Sequence, residues 1–279
     1  MDNIITTDRI DAYCLSLLAD ERSAGTISKY RHDLTAFAHW LDGRAVTKET
    51  AAGWKSHLSH RGYAPRTVNS MLAAVNGFCR FAGLPIKLKF LSIQRQIFRD
   101  SAKELSKAEY DRLLAAARES DQARLALIME TLCATGIRVS ELRYITVEAA
   151  LAGRATITLK GKIRTILLPA KLCRKLVKYA RKQKTASGEI FLTKSGRPIT
   201  RRQVWYELKR LCRAAGVEPS KVFPHNLRHL FATTFYRVCR DIVRLADMLG
   251  HSSIDTTRIY LMVSGAEQQR QLDRLGLVS

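Results

Sequence analysis

One stretch of this chain, and only one, alternates apolar and polar residues in the way that is typical of β-strands, and this limits the fold. Within residues 154–169, a Thr-Ile-Thr-Leu run is followed by the turn Lys160-Gly161-Lys162 and by a second apolar run. Elsewhere the apolar residues recur at intervals of three and four, as they do on one face of a helix. We therefore predict a mainly α fold (α+β) with one small antiparallel sheet.

The N-terminal part, residues 1–86, predicts an all-helical domain. Thr26 is the predicted N-cap of a helix whose apolar residues repeat at three and four. Pro65 is predicted in the first turn of another helix, which ends at Gly83. An apolar stripe between these two helices indicates a further one.

A basic segment follows, and a second domain begins after it. Residues 87–102 lack a helical period and predict a linker rich in positive charge. Ser106 and Glu109 have the spacing of a capping box and open the first of several helices. We predict a mixed, mostly helical domain over 103–279, which ends in a tail helix at 264–276.

The charge balance points to a polyanionic partner. Lys and Arg number 47 against 25 Asp and Glu, and the formal net charge is +22. Charge of this size attracts a polyanion from a distance and makes its binding sensitive to salt. A basic surface kept for solubility is the plainer interpretation. The basic residues are spread along the chain, which argues against a role at a membrane surface.

The six cysteines and the absence of targeting signals favour a reducing compartment. The cysteines include no Cys-x-x-Cys pair and most have apolar neighbours, so they predict small core residues rather than a metal site. No apolar run approaches the roughly 20 residues that span a bilayer, and no secretory signal is visible. We expect a cytoplasmic protein with no metal, no cofactor and no membrane partner.

A set of side chains in the C-terminal half can bind and attack a phosphodiester. His225 and Arg228 are followed by His251 and Tyr260, and Arg138 upstream supplies a second guanidinium. Guanidiniums donate planar pairs of N–H groups to phosphate oxygens and stay charged at any working pH. A phenol is a weak nucleophile until surrounding positive charge favours its phenolate. These five residues are therefore candidates for catalysis at a phosphate.

Five fragments in this order resemble the signature of the tyrosine recombinases, in particular the simpler Xer-like integrases. They are Ala134-Thr135-Gly136-Ile137-Arg138-Val139-Ser140-Glu141-Leu142, Lys160-Gly161, His225-Asn226-Leu227-Arg228-His229, Leu249-Gly250-His251 and Thr256-Thr257-Arg258-Ile259-Tyr260. Each fragment alone is a weak signal, but five in the right order form a strong one. The resemblance covers nearly the whole chain, because the first helical domain is similar to the SAM-like, DNA-binding core-binding domain of that family.

The resemblance implies a site-specific DNA recombinase that acts in integration, excision or resolution, including the movement of mobile elements. Tyr260 would form a covalent 3′-phosphotyrosyl bond and leave a free 5′-hydroxyl. The implied partners are double-stranded DNA and further copies of the chain, with a tetramer on two DNA sites. The tail helix would dock onto a neighbouring subunit, or in the plainer interpretation onto its own domain.

The resemblance also implies a role for each catalytic candidate. Arg138 and Arg228 would hold the phosphate oxygens, His225 would hold the phosphate and assist proton movement, and His251 would donate to a non-bridging oxygen. A lysine in the β-turn would protonate the leaving 5′-oxygen. Lys160 best matches the family's lysine, but the turn is one residue shorter than usual, so Lys162 stays as an alternative.

Two neighbours of these residues allow more than one interpretation. Glu141 resembles an acidic residue that orients the first arginine of the motif, Arg138. It could equally be a carboxylate that interacts favourably with the positive end of a helix dipole. His229 lies one residue from Arg228 on a predicted helix, so we expect it to face elsewhere and to pack or cap. Structural interpretations of the candidates themselves are a surface salt bridge between Arg138 and Glu141, and a core role for Tyr260.

Two other functions share this sequence pattern. A non-catalytic DNA-binding accessory protein of the same fold would lack some of the motif residues, whereas every motif position here holds a suitable side chain. A type IB topoisomerase would share the chemistry without strand exchange. The two-domain organisation and the predicted docking tail disfavour it.

Overall fold

The computed structural model describes residues 3–94, 101–159, 162–260, 269–270 and 273–275, without the side chains at 101, 159 and 162. The chain divides into two compact units, Met1–Arg95 and Gln96–Ser279. The predicted fold class is confirmed, because the described residues form twelve α-helices and one antiparallel pair of strands. No described helix has the length and apolar character that crossing a membrane requires.

The first unit is all-helical around one apolar core. Its helices enclose buried side chains that include Phe37, Leu72 and Phe78. In chain order they are α1 (Thr7–Ala19), α2 (Ala24–Leu41), α3 (Lys48–His60) and α4 (Pro65–Phe81).

The predicted start of α2 is wrong by three residues. Ser23, with extended backbone, is the N-cap, and its hydroxyl accepts a hydrogen bond from the Thr26 backbone N–H at 3.4 Å. Thr26 therefore lies inside the first turn, where its own hydroxyl is 2.9 Å from that of Ser23. The prediction for Pro65 is confirmed, since it occupies the first turn of α4.

The first part of the predicted linker is held against α4 by two asparagines. Asn76 donates to the Leu88 carbonyl at 3.0 Å and accepts from the Leu88 N–H at 2.8 Å. Asn69 makes the same pair of bonds with Leu91, at 2.9 and 2.7 Å. These bonds pair backbone N–H and C=O groups of a segment that forms neither a helix nor a strand. Residues 95–100 of the linker lie outside the described part of the chain.

The second unit is mostly helical and has its own core. Its helices are α5 (Lys107–Glu119), α6 (Ala123–Thr135), α7 (Val147–Ala152), α8 (Ala170–Lys182), α9 (Arg201–Ala215), α10 (Pro224–Cys239), α11 (Ile242–Leu249) and α12 (Asp255–Arg258). Short 3₁₀ turns occupy Ser101–Lys103, Val139–Tyr144 and Pro219–Lys221. The capping box of Ser106 and Glu109 is present at the start of α5, as predicted.

The α8 helix was not among the elements predicted from the sequence. Its buried residues Leu172, Leu176 and Ala180 lie along one face, beside the partly buried Cys173 and Val177. No side-chain N-cap marks its start, so the sequence lacks the local signal that identified several of the other helices.

The sheet is a two-stranded hairpin of β1 (Arg154–Leu159) and β2 (Lys162–Leu167). Ile157 and Ile166 face the core, whereas Ile163 and Leu167 are exposed. Arg164 is paired in register with Ile157, so a charged residue occupies a position on the core face of β2.

Candidate active site

A tight turn after α6 places Arg138. Gly136 ends α6 in the left-handed conformation with φ 65°, and a side chain here would collide with the ring of Phe231 on α10. The chain then passes through Arg138, which has extended backbone and precedes the 3₁₀ turn. Only glycine allows this conformation without strain together with so close an approach of α10.

Glu141 is almost fully buried and is shared by two arginines. Its Oε2 accepts from the backbone N–H of Arg138 at 2.7 Å, and its Oε1 is 3.1 Å from Nη1 of the same residue. The Oε2 atom also accepts from Nη2 of Arg164 at 2.6 Å. Glu141 therefore caps the 3₁₀ turn and also pairs with Arg138. Its contacts fit both roles considered from the sequence, the carboxylate at a helix start and the residue that orients the first arginine. The Arg138 side chain is 41% exposed and keeps donors directed elsewhere.

Arg228 is the buried cation of the site. Its Nη1 donates to the Gly136 carbonyl at 2.7 Å, and its Nη2 donates to the Leu249 carbonyl at 2.8 Å and approaches His251 Nε2 at 2.9 Å. Burial, and secondly the positive charge of Arg138, lowers the pKa of Arg228 to about 10. Its guanidinium therefore stays charged at neutral pH despite its desolvation.

His251 follows the C-terminus of α11 as a neutral imidazole. A guanidinium can only donate, so His251 Nε2 is the acceptor of the bond from Arg228. The ring proton then lies on Nδ1, which is 2.8 Å from the hydroxyl of buried Thr257. Burial, together with the charges of Arg228 and Arg138, lowers the pKa of His251 to about 4.

His225 lies in the first turn of α10, one helical turn before Arg228. Desolvation, together with the charges of Arg228 and Arg138, lowers its pKa below the ordinary value. It too is a neutral imidazole at neutral pH, so it can accept a proton or donate its ring N–H. Asn226, next in the motif, is structural: it donates to the carbonyls of Lys103 and Lys221 at 2.8 and 2.7 Å.

Tyr260 is buried against this set. Its ring stacks on that of His251, with centroids 6.1 Å apart and planes at 14°. Its phenol lies close enough to the Arg228 guanidinium for the two groups to interact electrostatically. A short helix precedes Tyr260: α12 ends at Arg258, and the Tyr260 N–H closes the following turn on the Thr257 carbonyl at 3.0 Å.

His229 belongs to the site, although the sequence suggested that it faces elsewhere. Its ring meets Tyr260 edge-on, with centroids 4.9 Å apart and planes at 64°. It also lies 3.7 Å from the carboxylate of Glu104. Consecutive residues on a helix point about 100° apart, but the Tyr260 ring is large enough to interact with both Arg228 and His229. The prediction that His229 packs was right, and the prediction of its direction was wrong.

The predicted lysine lies where the structure is not described. Lys160 and Gly161 fall outside the described residues, and for Lys162 only the backbone is described, paired with Leu159 at the end of the hairpin. The choice between the two lysines stays a prediction. Most of the predicted tail helix at 264–276 also lies outside the described residues.

The structure thus brings five of the six predicted catalytic residues together: Arg138, His225, Arg228, His251 and Tyr260. Sequence reasoning missed Arg164, although a signal existed. Arg164 is in phase with Ile166 on β2 and with Leu168 just after the strand, and a charge among apolar residues on one face of a strand needs a buried partner. Among the residues that the structure describes, no group of three or more His, Cys, Asp or Glu side chains could hold a metal ion.

The sequence of the chain is similar to those of known proteins along most of its length. Residues 103–267 match the phage integrase family, and residues 10–83 match the phage integrase N-terminal SAM-like domain. The tyrosine recombinase XerD of Pseudomonas aeruginosa is 31% identical over 265 residues, which cover 88% of each chain. The tyrosine recombinase XerA of Pyrococcus furiosus is 28% identical over 284 residues, which cover 99% of this chain and 97% of that one.

Solved structures share the fold. A lambda integrase tetramer bound to a Holliday junction superposes with a TM-score of 0.74 at 20% identity, covering 93% of this chain and 78% of that one. The family match spans more than half of the chain, and the relatives align along most of its length. The chain therefore belongs to the phage integrase family and is a site-specific recombinase of the tyrosine type.

Proposed function

We propose that this recombinase cuts and rejoins double-stranded DNA through Tyr260. The observation that carries the proposal is the proximity of a buried phenol to a buried guanidinium, Arg228, which in turn lies near a second guanidinium, Arg138. An isolated core tyrosine would not need such a neighbour. A phosphodiester, in contrast, needs positive charge to bind and to let an oxygen nucleophile approach.

Arg138 and Arg228 are proposed to hold the non-bridging phosphate oxygens. Three of the five N–H donors of Arg228 go to the carbonyls of Gly136 and Leu249 and to His251, which leaves two for other acceptors. The Gly136 and Leu249 carbonyls fix the guanidinium plane before DNA arrives. Donors that are already oriented cost no reorganisation when charge develops in the transition state.

His251 is proposed to donate its ring proton to a non-bridging oxygen of the phosphate. The hydroxyl of Thr257 is compatible with the tautomer that this requires. In the present arrangement His251 Nε2 accepts from Arg228. A hydroxyl can donate as well as accept, so Thr257 can hold the imidazole in either tautomer. When Arg228 turns its N–H to a phosphate, the ring proton can move to Nε2 and bond the same phosphate.

The proposed cleavage step is a displacement at phosphorus. The phenol of Tyr260 loses its proton, with His225 as the proposed neutral base, and its oxygen bonds to phosphorus. The bond from phosphorus to the 5′-oxygen breaks, and Lys160, or Lys162 as the alternative, supplies the proton to that oxygen. The product is a 3′-phosphotyrosyl ester and a free 5′-hydroxyl. The ester keeps the energy of the broken strand, so the reverse step rejoins it without ATP.

The partners are proposed to be duplex DNA and three further copies of the chain. The net charge of +22 favours a polyanion, and a lambda integrase of this fold is a tetramer on a Holliday junction. We propose that both units contact the same duplex, with the basic linker along its backbone. The cytoplasmic location expected from the sequence stays a prediction.

A suicide-substrate gel tests the proposed nucleophile. The substrate is a nicked duplex of the DNA recovered from cells after cross-linking to the protein, so that cleavage traps the covalent complex. The wild-type protein should form an adduct, and Tyr260→Phe should bind the duplex without forming one. Tyr206→Phe is the control, because Tyr206 is exposed on α9. A wild-type protein that binds this DNA but never forms an adduct would favour the non-catalytic accessory function.

The general acid can be identified with a sulfur substitution. Replacing the leaving 5′-oxygen by sulfur makes the leaving group more acidic, so it departs without a proton. If Lys160 is the acid, Lys160→Ala should cleave the ordinary DNA about 10²- to 10⁴-fold more slowly and the sulfur substrate at the wild-type rate. Lys162→Ala should then show the same change in cleavage rate, relative to wild type, with the ordinary DNA and with the sulfur substrate. The opposite result for the two variants would reassign the role.

A further inference from the structure

We propose that Arg164 is a positioning residue of the recombinase, which holds the β-hairpin, Arg138 and His251 in one arrangement without touching the phosphate. The inference rests on the proposed function of the site. Its first support is the place of Arg164 on β2, opposite buried Ile157, where an apolar side chain would be expected. The side chain of Arg164 is only 17% exposed. A charge there is costly unless its partners compensate for the lost water.

The partners of Arg164 lie in two separate segments of the site. Nη2 donates to Glu141 Oε2 at 2.6 Å, and Nη1 donates to the Met248 carbonyl at 2.9 Å. The same Glu141 oxygen accepts from the backbone of Arg138. A planar guanidinium is able to bridge two acceptors in fixed directions, and an ammonium is not. Arg164 therefore links the hairpin, the turn of Arg138 and the end of α11.

At the C-terminal end of α11, two consecutive backbone carbonyls each accept a hydrogen bond from a guanidinium. Arg164 binds the Met248 carbonyl, and Arg228 binds the Leu249 carbonyl. These are unpaired acceptors at the negative end of the helix, where cations are favoured. His251 comes two residues later, so the position of its ring depends on how this helix end is held.

Gly250 shows how closely Arg164 packs there. A Cβ at residue 250 would lie 2.8 Å from Cδ of Arg164 and 2.9 Å from its Cζ. Gly250 also has φ 64°, in the left-handed region. The glycine of the Leu-Gly-His fragment thus provides both the turn and the space for the Arg164 side chain.

The closing experiment compares Arg164→Gln with a matched control, Arg124→Gln. Arg124 has the same kinds of partner, with Nη2 2.5 Å from the Glu207 carboxylate and Nη1 2.7 Å from the Leu192 carbonyl, and similar exposure. None of these control residues is a catalytic candidate. Both variants lose an ion pair and a carbonyl bond, so they control for a general loss of stability.

We expect Arg164→Gln to cleave saturating suicide substrate about 10- to 100-fold more slowly, since displaced catalytic groups cost this much. Its dissociation constant for the DNA should change by less than about twofold. Arg124→Gln should match wild type in both. Equal cleavage by the two variants would overturn the inference. So would a wild-type rate with weaker DNA binding, because Arg164 would then be a DNA contact.

A readout without cleavage separates this inference from the proposed function. The charge of Arg164 itself contributes to the lowered pKa of His251, so ¹⁵N-histidine NMR of the DNA-free protein should use Arg164→Lys, which keeps that charge but not the planar pair of donors. The pKa of His251 should rise toward its ordinary value in Arg164→Lys and stay low in Arg124→Lys. An unchanged His251 in Arg164→Lys would contradict the positioning role. A wild-type protein without any DNA adduct would count against the proposed function instead.

Gly250→Ala is the second variant, for the case that Arg164→Gln does not fold. It should displace Arg164 and slow cleavage in the same way. In the double variant with Arg164→Ala, which removes the Cδ, Cζ and Nη1 atoms that the new methyl group would meet, the added alanine should cost less than it does alone. Full additivity of the two changes would show that residue 250 acts independently of Arg164.

Discussion

The core of the N-terminal unit and the candidate site of the C-terminal unit are both buried, but the first consists mainly of apolar side chains and the second includes charged and polar ones. Among the described residues of the first unit, the one buried polar or charged side chain is Asp33, which pairs with Lys29. In the second unit the candidate site alone buries Glu141, Arg228 and Thr257. Apolar burial stabilises a fold by itself, whereas a buried charge is costly and is tolerated where partners are in place.

This difference suggests that the two regions respond in opposite ways to substitution. The first unit should lose stability when a core side chain is truncated, with little effect on chemistry in molecules that stay folded. The site should lose chemistry when a charge is removed, with little loss of stability.

Phe37→Ala should have the largest effect on folding. Phe37 is fully buried and its ring lies 5.5 Å from that of Trp54. Truncation should lower the free energy of unfolding of the first unit by about 3–5 kcal/mol, measured by urea denaturation. At a temperature where the variant is folded, the single-turnover cleavage rate with saturating DNA should equal that of wild type. A large loss of rate there would show that the first unit takes part in the chemistry.

Arg228→Met should have the largest effect on chemistry. Cleavage should fall by about 10²- to 10³-fold or more, since donors to the developing charge contribute this much. Methionine approximates the volume of the arginine stem, so the free energy of unfolding should change by less than about 1.5 kcal/mol. Paired urea denaturation and adduct gels measure both. An Arg228→Met protein that is strongly destabilised would remove the contrast between the two regions.

Gly136→Ala should disturb both properties to a moderate degree. The new methyl group would collide with Phe231, and the left-handed backbone would be strained. We expect a loss of about 1–3 kcal/mol in unfolding free energy together with slower cleavage, because Arg138 lies two residues later. Adding Phe231→Ala should restore part of the cleavage rate by making room. No recovery in the double variant would show that backbone strain dominates.

The pH dependence of stability should reflect the lowered pKa of His251. The pKa of His251 is lowered from 6.5 to about 4, so between these values the unfolded chain binds a proton that the folded protein does not. Stability therefore falls as pH falls through this window, with a slope of up to about 1.4 kcal/mol per pH unit from this group. His251→Gln should have a shallower slope in urea titrations at pH 4.5 to 6.5. An equal slope would assign the dependence to other groups.

Local sequence was sufficient wherever one residue acts on its own segment. The capping box of Ser106 and Glu109 and the proline that opens α4 were both identified correctly. Each depends on backbone geometry within four residues. The motif residues of the site were named in the same way, from their order and spacing.

Local sequence failed where two capping signals compete or where none is present. At the start of α2, Ser23 and Thr26 are both good capping residues, and the choice between them depends on which backbone is extended. The α8 helix was missed although its apolar residues repeat along one face, because no capping side chain marks its start.

By itself the sequence determined the elements, their order and the chemical groups available for the site. Tertiary structure alone decided which groups meet: Arg164 with Glu141 and the end of α11, His229 with the Tyr260 ring, and Arg228 with His251. The reason is physical. Helix caps and periodicity act over a few residues, whereas the tautomer of His251 and its pKa depend on side chains more than twenty residues away that only packing brings into contact.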